Sequence, residues 1–229
     1  MSWSHRWEEI FSENEWGRYP AESLVRFVAR NYYKVQSRES IRILELGCGP
    51  GANIWYMARE GFSVTGIDGS ATAIRQARDR LDNEGLSDHT KLLVGDILDV
   101  RALVGGDTFD AVIDVNCLQC MPLRTTVGIV ADCRELLKDG GQFFSVMMAT
   151  GSWGEGFGEE IAPGTFKGIS VGPNNDSVLN HFANDADCAE IFAGFSMRSK
   201  EYQVRSFEEG TKELKHWVIQ AQKNEHGLS

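Results

Sequence analysis

The chain is short of cations: among 229 residues, 23 are Lys or Arg against 33 Asp or Glu, a formal net charge of −10. Clustered basic residues neutralise nucleic-acid phosphates, so this shortage argues against broad nucleic-acid contact and leaves a small or cationic substrate easier to accept. No window approaches the ~20 apolar residues needed to span a bilayer, and no N-terminal stretch has the basic, apolar, small-residue order of a secretory leader. The expected location is the cytoplasm, with no membrane partner. Cysteines number five, scattered as Cys48, Cys117, Cys120, Cys133 and Cys188. An odd, scattered set suits a reducing compartment better than a disulfide framework. Cys117 and Cys120 form a C-x-x-C pair, but a redox or zinc role needs a thioredoxin-like context or a second pair, and the sequence has neither. Internal repeats and low-complexity tails are absent too.

What is present concentrates between Ile43 and Asn53, an apolar run that ends in Glu45 and passes into alternating glycines at Gly47, Gly49 and Gly51. Glycine lets a chain turn sharply out of a strand and approach a ligand with no Cβ in the way. The pattern also satisfies the dinucleotide fingerprint, with Ala52 in its last position. Glu45 tilts the reading, because a carboxylate at the strand end repels a pyrophosphate and attracts a cation. A second strand, Ser63 to Asp68, ends in an acid placed to accept hydrogen bonds from ribose hydroxyls. A third, Lys91 to Asp96, ends in a carboxylate followed by Ile97 and Leu98, which suits an adenine held by its amine between aliphatic surfaces.

These four segments, with Phe109 to Asp114 as the last, resemble the class I S-adenosylmethionine-dependent methyltransferases. The resemblance covers residues 41 to about 149, with a weaker echo to 223. It implies that Gly47, Cys48 and Gly49 line the methionine moiety, that Asp68 binds the ribose, and that Asp96 and Ile97 contact the adenine. It further implies that backbone around Val115 and Asn116 meets the amino group. Gly51, Asn53, Gly69 and Ser70 complete the expected cofactor site. The closing hairpin and small size are similar to small-molecule enzymes of the thiopurine and tellurite-resistance branch. A nicotinamide-dependent oxidoreductase and a non-catalytic adenosyl-cofactor binder are the rival readings.

The implied fold is α/β: a doubly wound, mostly parallel seven-stranded sheet with helices on both faces and an antiparallel C-terminal hairpin. One domain of 229 residues is expected, divided into a helical cap (1–40), a cofactor core (41–149), an insert (150–182) and a closing helix and hairpin (183–223). In the cap, Trp3, Trp7 and Phe11 share a helical face, read as packing on the domain in preference to a substrate lid; its acidic Glu8, Glu9 and Glu13 speak against a membrane surface. Pro20 is placed to begin a helix from Ala21 to Tyr33. Residues 151–181, rich in glycine and without periodicity, sit where substrate loops occur in such sheets, with a mobile surface insert as the competing reading.

Methyl transfer is an in-line displacement in which orientation of the nucleophile is the main task. The general base stays unknown, with His181 and Asp114 as the candidates; Asp114 has the competing reading of a strand-end residue bonded to backbone. Gln119 stands where many relatives carry histidine, which puts a histidine base there in doubt. Trp16, Tyr19, Gln119 and Trp153 are the candidate substrate contacts. His5 shares the ambiguity of His181 between a substrate role and a solvated side chain, while His89, His216 and His226 read as structural or exposed. The expected partner is a small-molecule acceptor, the expected assembly a monomer or homodimer, and no metal is called for.

Overall fold

A computed structural model describes residues 5–14, 16–173 and 179–224. Trp3 and His226 lie outside these residues. In chain order the elements are α1 (His5–Glu13), α2 (Glu22–Tyr32), β1 (Arg42–Leu46), α3 (Ala52–Arg59), β2 (Ser63–Asp68), α4 (Ala71–Asn83), β3 (Thr90–Val94), α5 (Val100–Val104), β4 (Phe109–Val115), α6 (Leu123–Leu136), β5 (Leu137–Met148), β6 (Glu159–Ala162), β7 (Thr165–Lys167), β8 (Asn180–His181), α7 (Asp185–Ile191), β9 (Phe195–Phe207) and β10 (Lys212–Lys223).

The main sheet has seven strands in the order β3-β2-β1-β4-β5-β10-β9. Its first five strands are parallel, while β10 runs antiparallel to both β5 and β9. The expected fold class is therefore observed. The order reverses between β1 and β4, and this is the point at which open α/β sheets hold ligands at their carboxyl edge.

Side chains alternate across the pleat, so each central strand feeds two cores. Ile43, Ala111, Ile113 and Phe144 pack against Leu24, Phe27, Ile54, Met57 and Leu81 on the face covered by α2, α3 and α4. Leu44, Leu46, Val112 and Phe143 meet Ile129, Val130, Cys133 and Phe192 on the face covered by α6 and the end of α7. Burial on both faces explains why β4 reads as a continuous apolar run. Phe27 and Phe144 stack at 4.8 Å, and Phe143 meets Phe192 edge-on at 5.5 Å.

Helix starts follow local chemistry. Ser70 caps α4 by accepting the Ala73 amide at 3.0 Å. Pro20 precedes α2 by two residues and does not occupy its first turn, because Ala21 takes the extended capping position.

The glycine-rich insert departs from the irregular loop its composition suggests. Strands β6, β7 and β8 form a separate antiparallel sheet. Phe166, Ile169 and Phe182 bury against Met148 and Leu214 to make a third small core. The sequence pattern hides this because strands of two to four residues are too short to show a period.

Candidate functional site

A cavity of about 660 Å³ opens at the carboxyl edge of β1, β2 and β4, within the range of small-molecule sites. Its wall contains Glu45, Gly47, Cys48, Gly49, Asn53, Asp68, Gly69, Asp96, Ile97, Val115 and Asn116, so most of the sequence-predicted cofactor residues converge on one space. Gly51 and Ser70 do not line it. A Cβ on Gly51 would lie 2.8 Å from that of Ala77, so this glycine serves close packing of α3 on α4. Ser70 is fully buried and occupied as the α4 cap.

The glycine turn is shaped by its surroundings as well as its torsions. Gly47 has φ +61°, and a Cβ there would fall 2.3 Å from Cys117 Sγ. Only hydrogen fits at that position. Asn116, on the facing strand end, also adopts a left-handed conformation with φ 62°. Non-glycine residues rarely do so outside functional turns, with asparagine among the tolerant types.

Each strand-end carboxylate is held differently. Glu45 is buried, and its Oε1 accepts a 2.6 Å bond from Asn53 Nδ2 while Oε2 has no partner among the described residues. Desolvation, opposed by the Asn53 bond and reinforced by the charges of Asp68 and Asp114, pushes its carboxyl up to about 8. Asn53 Oδ1 in turn accepts the Ala21 amide at 3.2 Å, which ties the N-terminal segment to the site. Asp68 accepts the Gly49 amide on Oδ2 and the Ser70 amide on Oδ1, both at 2.8 Å. One bond per oxygen leaves acceptor capacity on both. Burial raises its pKa, and the two amide bonds oppose the rise. Asp96 accepts the Leu98 amide at 3.0 Å and starts the turn that carries buried Ile97 into the cavity wall. Leu98 is 44% exposed and does not line the cavity, so only one of the two expected aliphatic residues is present there.

The candidate bases lie elsewhere. Asp114 is fully buried; Oδ1 accepts the Cys117 and Leu118 amides at 3.0 Å, and Oδ2 accepts Ser145 Oγ at 2.5 Å. It organises the turn after β4 and does not border the cavity, although desolvation pushes its carboxyl up to about 6. His181 is 4% exposed in β8, with Nδ1 2.9 Å from Thr165 Oγ1 and Nε2 3.4 Å from Asp187. The Thr-His-Asp sequence of contacts imitates a nucleophile triad, yet Thr165 is fully buried and none of the three borders the cavity. Neither Asp114 nor His181 borders the cavity, and the contacts described tie both into the surrounding framework.

Among the expected substrate contacts, Trp16 and Tyr19 line the cavity and Gln119 and Trp153 do not. Gln119 is buried and accepts the Met148 amide at 2.8 Å, tying the turn after β4 to β5. Trp153 packs beside Phe207 at 6.1 Å.

Sequence reasoning missed the other part of the wall. Trp7, Phe11, Pro20 and Ala21 arrive from the cap, Gly95, Cys117, Cys120 and Met121 from strand-end turns, and Arg205 from β9. The aromatic stripe on α1 was a signal for Trp7 and Phe11, and the C-x-x-C pair for Cys117 and Cys120. Burial raises both thiols, Cys120 to about 12, so neither is a ready thiolate. No three His, Cys, Asp or Glu side chains among the described residues are gathered to hold a metal ion. No helix among them is long and apolar enough to cross a membrane.

A family model described as a methyltransferase domain matches residues 43–141. Residues 43–141 are a methyltransferase domain. This domain carries Glu45, Asp68, Asp96 and the glycine turn together. Similar proteins include the ubiquinone biosynthesis O-methyltransferase of Actinobacillus pleuropneumoniae serotype 5b (strain L20), 32% identical over 111 residues that make up 48% of this chain and 47% of that one. The protein of the same description from Nitrosococcus oceani is 35% identical over 48% of this chain and 44% of its own. The likeness thus spans about half the length of these relatives. Among solved structures, TehB from Haemophilus influenzae superposes with TM-score 0.65 at 17% identity, over 95% of this chain and 67% of that one. A 1,6-didemethyltoxoflavin-N1-methyltransferase from Burkholderia thailandensis gives TM-score 0.64 at 15% identity, over 96% and 84%. At such identities the structural likeness is one of fold, and it extends beyond the methyltransferase domain to the cap and hairpin.

Proposed function

We propose that this chain transfers a methyl group from S-adenosylmethionine to an O, N or S nucleophile of a small molecule. The observation that carries the reading is Glu45, a buried residue on the wall of a cavity that also holds Asp68 and Asp96, whose Oε2 has no partner among the described residues. An unpaired buried carboxylate calls for a cation or a proton. The cofactor fits this donor set, with its cationic end at Glu45 and the glycine turn, its ribose at Asp68 and its adenine beside Asp96 and Ile97. A pyrophosphate at the same turn would face Glu45 and be repelled, which disfavours the nicotinamide reading.

When bound, the cofactor supplies a methyl group made electrophilic by its positively charged sulfur. The protein's part is to bind and orient. Asn53 fixes the Glu45 carboxylate, the Gly49 and Ser70 amides fix Asp68, and the left-handed turn at Asn116 presents backbone to the cavity. Trp7, Phe11 and Trp16 add aromatic surface to the wall. Among the described wall residues there is no histidine or lysine, and an acceptor that reaches the site already nucleophilic needs no base.

The experiment is a titration of the purified protein with S-adenosylhomocysteine and, separately, NADH, followed by acceptor screening with detection of released S-adenosylhomocysteine. Tight binding of the first and none of the second supports the reading; the reverse order removes it.

A further inference from the structure

We propose that the acceptor half of the cavity selects a planar aromatic acid, and that Arg205 reads its negative charge. The inference rests on the methyl-transfer reading, since that reading assigns the carboxylates to the cofactor. The described cavity wall carries three carboxylates, Glu45, Asp68 and Asp96, and one cation, Arg205. Three acids at one end and a lone guanidinium from another part of the fold make a polarised site, with cationic cofactor and anionic acceptor drawn to different walls.

Arg205 belongs to β9, the edge strand farthest from β3, and hairpin length explains how it reaches the cavity. The β5 ladder with β10 ends at Met148 paired with His216, whereas the β9–β10 ladder continues to Phe207 paired with Lys212. Val204 to Phe207 therefore overhang the carboxyl edge of the sheet where the cavity opens. There the Arg205 guanidinium lies 4.8 Å over the Phe207 ring, and Phe207 is backed by Trp153. Stacking positions a guanidinium without neutralising it and leaves its in-plane N–H edges available for a bidentate carboxylate. Arg38, Arg42 and Arg80 are each paired with a carboxylate, but no carboxylate among the described residues pairs with Arg205.

The ring is recognised at the mouth. Trp16 is 49% exposed and Tyr19 79% exposed although both line the cavity, and Trp16 is braced edge-on by Phe11 at 5.2 Å and Trp7 at 6.4 Å. Large exposed rings held by others offer a flat apolar surface on which a planar acceptor can stack. In a chain of net charge −10, an anion gains entry only where a cation stands unneutralised.

The test is calorimetric, with S-adenosylhomocysteine saturating and three ligands compared: 2-naphthoate, the neutral 2-naphthamide and the non-planar cyclohexanecarboxylate. In the wild type, 2-naphthoate should bind at least tenfold more tightly than either of the others. Arg205→Gln should abolish the preference for acid over amide, Arg205→Lys should keep part of it, and Trp16→Ala should abolish the preference for the planar acid. Affinity for S-adenosylhomocysteine should be the same in both Arg205 variants, which also shows that they fold, and an unchanged thermal melt shows that Trp16→Ala does. Absence of 2-naphthoate binding, equal binding of acid and amide, or a preference that survives Arg205→Gln overturns the proposal while the cofactor reading stands. Failure of S-adenosylhomocysteine to bind the wild type overturns the cofactor reading itself.

Discussion

Glu45 and Asn53 are joined by a 2.6 Å hydrogen bond that occupies one carboxylate oxygen and leaves the other, Oε2, buried without a described partner. The pair is eight residues apart, at the end of β1 and in the first turn of α3 on either side of the glycine turn, and both residues line the cavity. A cation is the natural complement of that arrangement.

From this follows a linked proton. Desolvation raises the Glu45 carboxyl from 4.5 to about 8, so between those values the ligand-free fold holds a proton that the unfolded chain has lost. The resulting stability is whole below pH 4.5 and is lost as pH rises towards 8. A cation against Oε2 favours the carboxylate, so S-adenosylhomocysteine or its methylated form should release up to one proton on binding near neutral pH. Calorimetry in buffers of different ionisation enthalpy measures this, and Glu45→Gln should remove the release. A wild type that releases none would take Glu45 out of the cation-binding role.

Asp68→Ala should weaken S-adenosylhomocysteine binding by about 2–4 kcal/mol, through lost ribose bonds and a loosened Gly49 amide. Asp68→Asn should keep part of the turn and lose less. Unchanged affinity in both would contradict the ribose assignment.

Gly47→Ala combines a left-handed torsion with a collision against Cys117. The expected loss of stability is about 1–3 kcal/mol from strain and overpacking, with a greater loss of cofactor affinity because the turn must move. Thermal unfolding with and without S-adenosylhomocysteine separates the two. A variant as stable as the wild type would mean that the turn tolerates a side chain.

His181→Ala should cost about 1–3 kcal/mol of stability by removing the buried 2.9 Å bond to Thr165, yet leave cofactor affinity and methyl transfer intact. Desolvation lowers the His181 pKa below 6.5, with Asp187 opposing the shift. A lowered histidine contributes stability that is present above pH 6.5 and lost as pH falls below it. The variant should therefore show a flatter acid limb in its melting temperature. Loss of turnover with unchanged stability would restore His181 as a catalytic candidate.

The Glu8 carboxylate accepts Ser70 Oγ and Thr72 Oγ1 at 2.5 Å and the Thr72 amide at 3.2 Å, at the positive end of α4. The bond from Ser70, more than any other contact, holds its pKa below the ordinary value. Glu8→Ala should speed hydrogen exchange across His5–Glu13 and hasten release of S-adenosylhomocysteine, with β1 to β5 unaffected. Unchanged exchange would show that α1 is held by its aromatic contacts alone.

The sequence by itself determined the methyltransferase domain and the gathering of the proposed cofactor residues at one sheet edge. Glu45, the glycine turn, Asp68, Asp96 and Asn116 stand at successive strand ends, and parallel strands with right-handed crossovers place such residues side by side whatever the rest of the chain does. Tertiary structure alone decided the rest. Whether Asp114 faces ligand or backbone depends on Ser145 across the sheet, and whether His181 is a base or a framework group depends on Thr165 and Asp187 closing around it. Arg205 joins the cavity because a hairpin overhangs the sheet edge. Burial and partnership of this kind arise between segments that sequence spacing does not connect, so no local pattern could announce them.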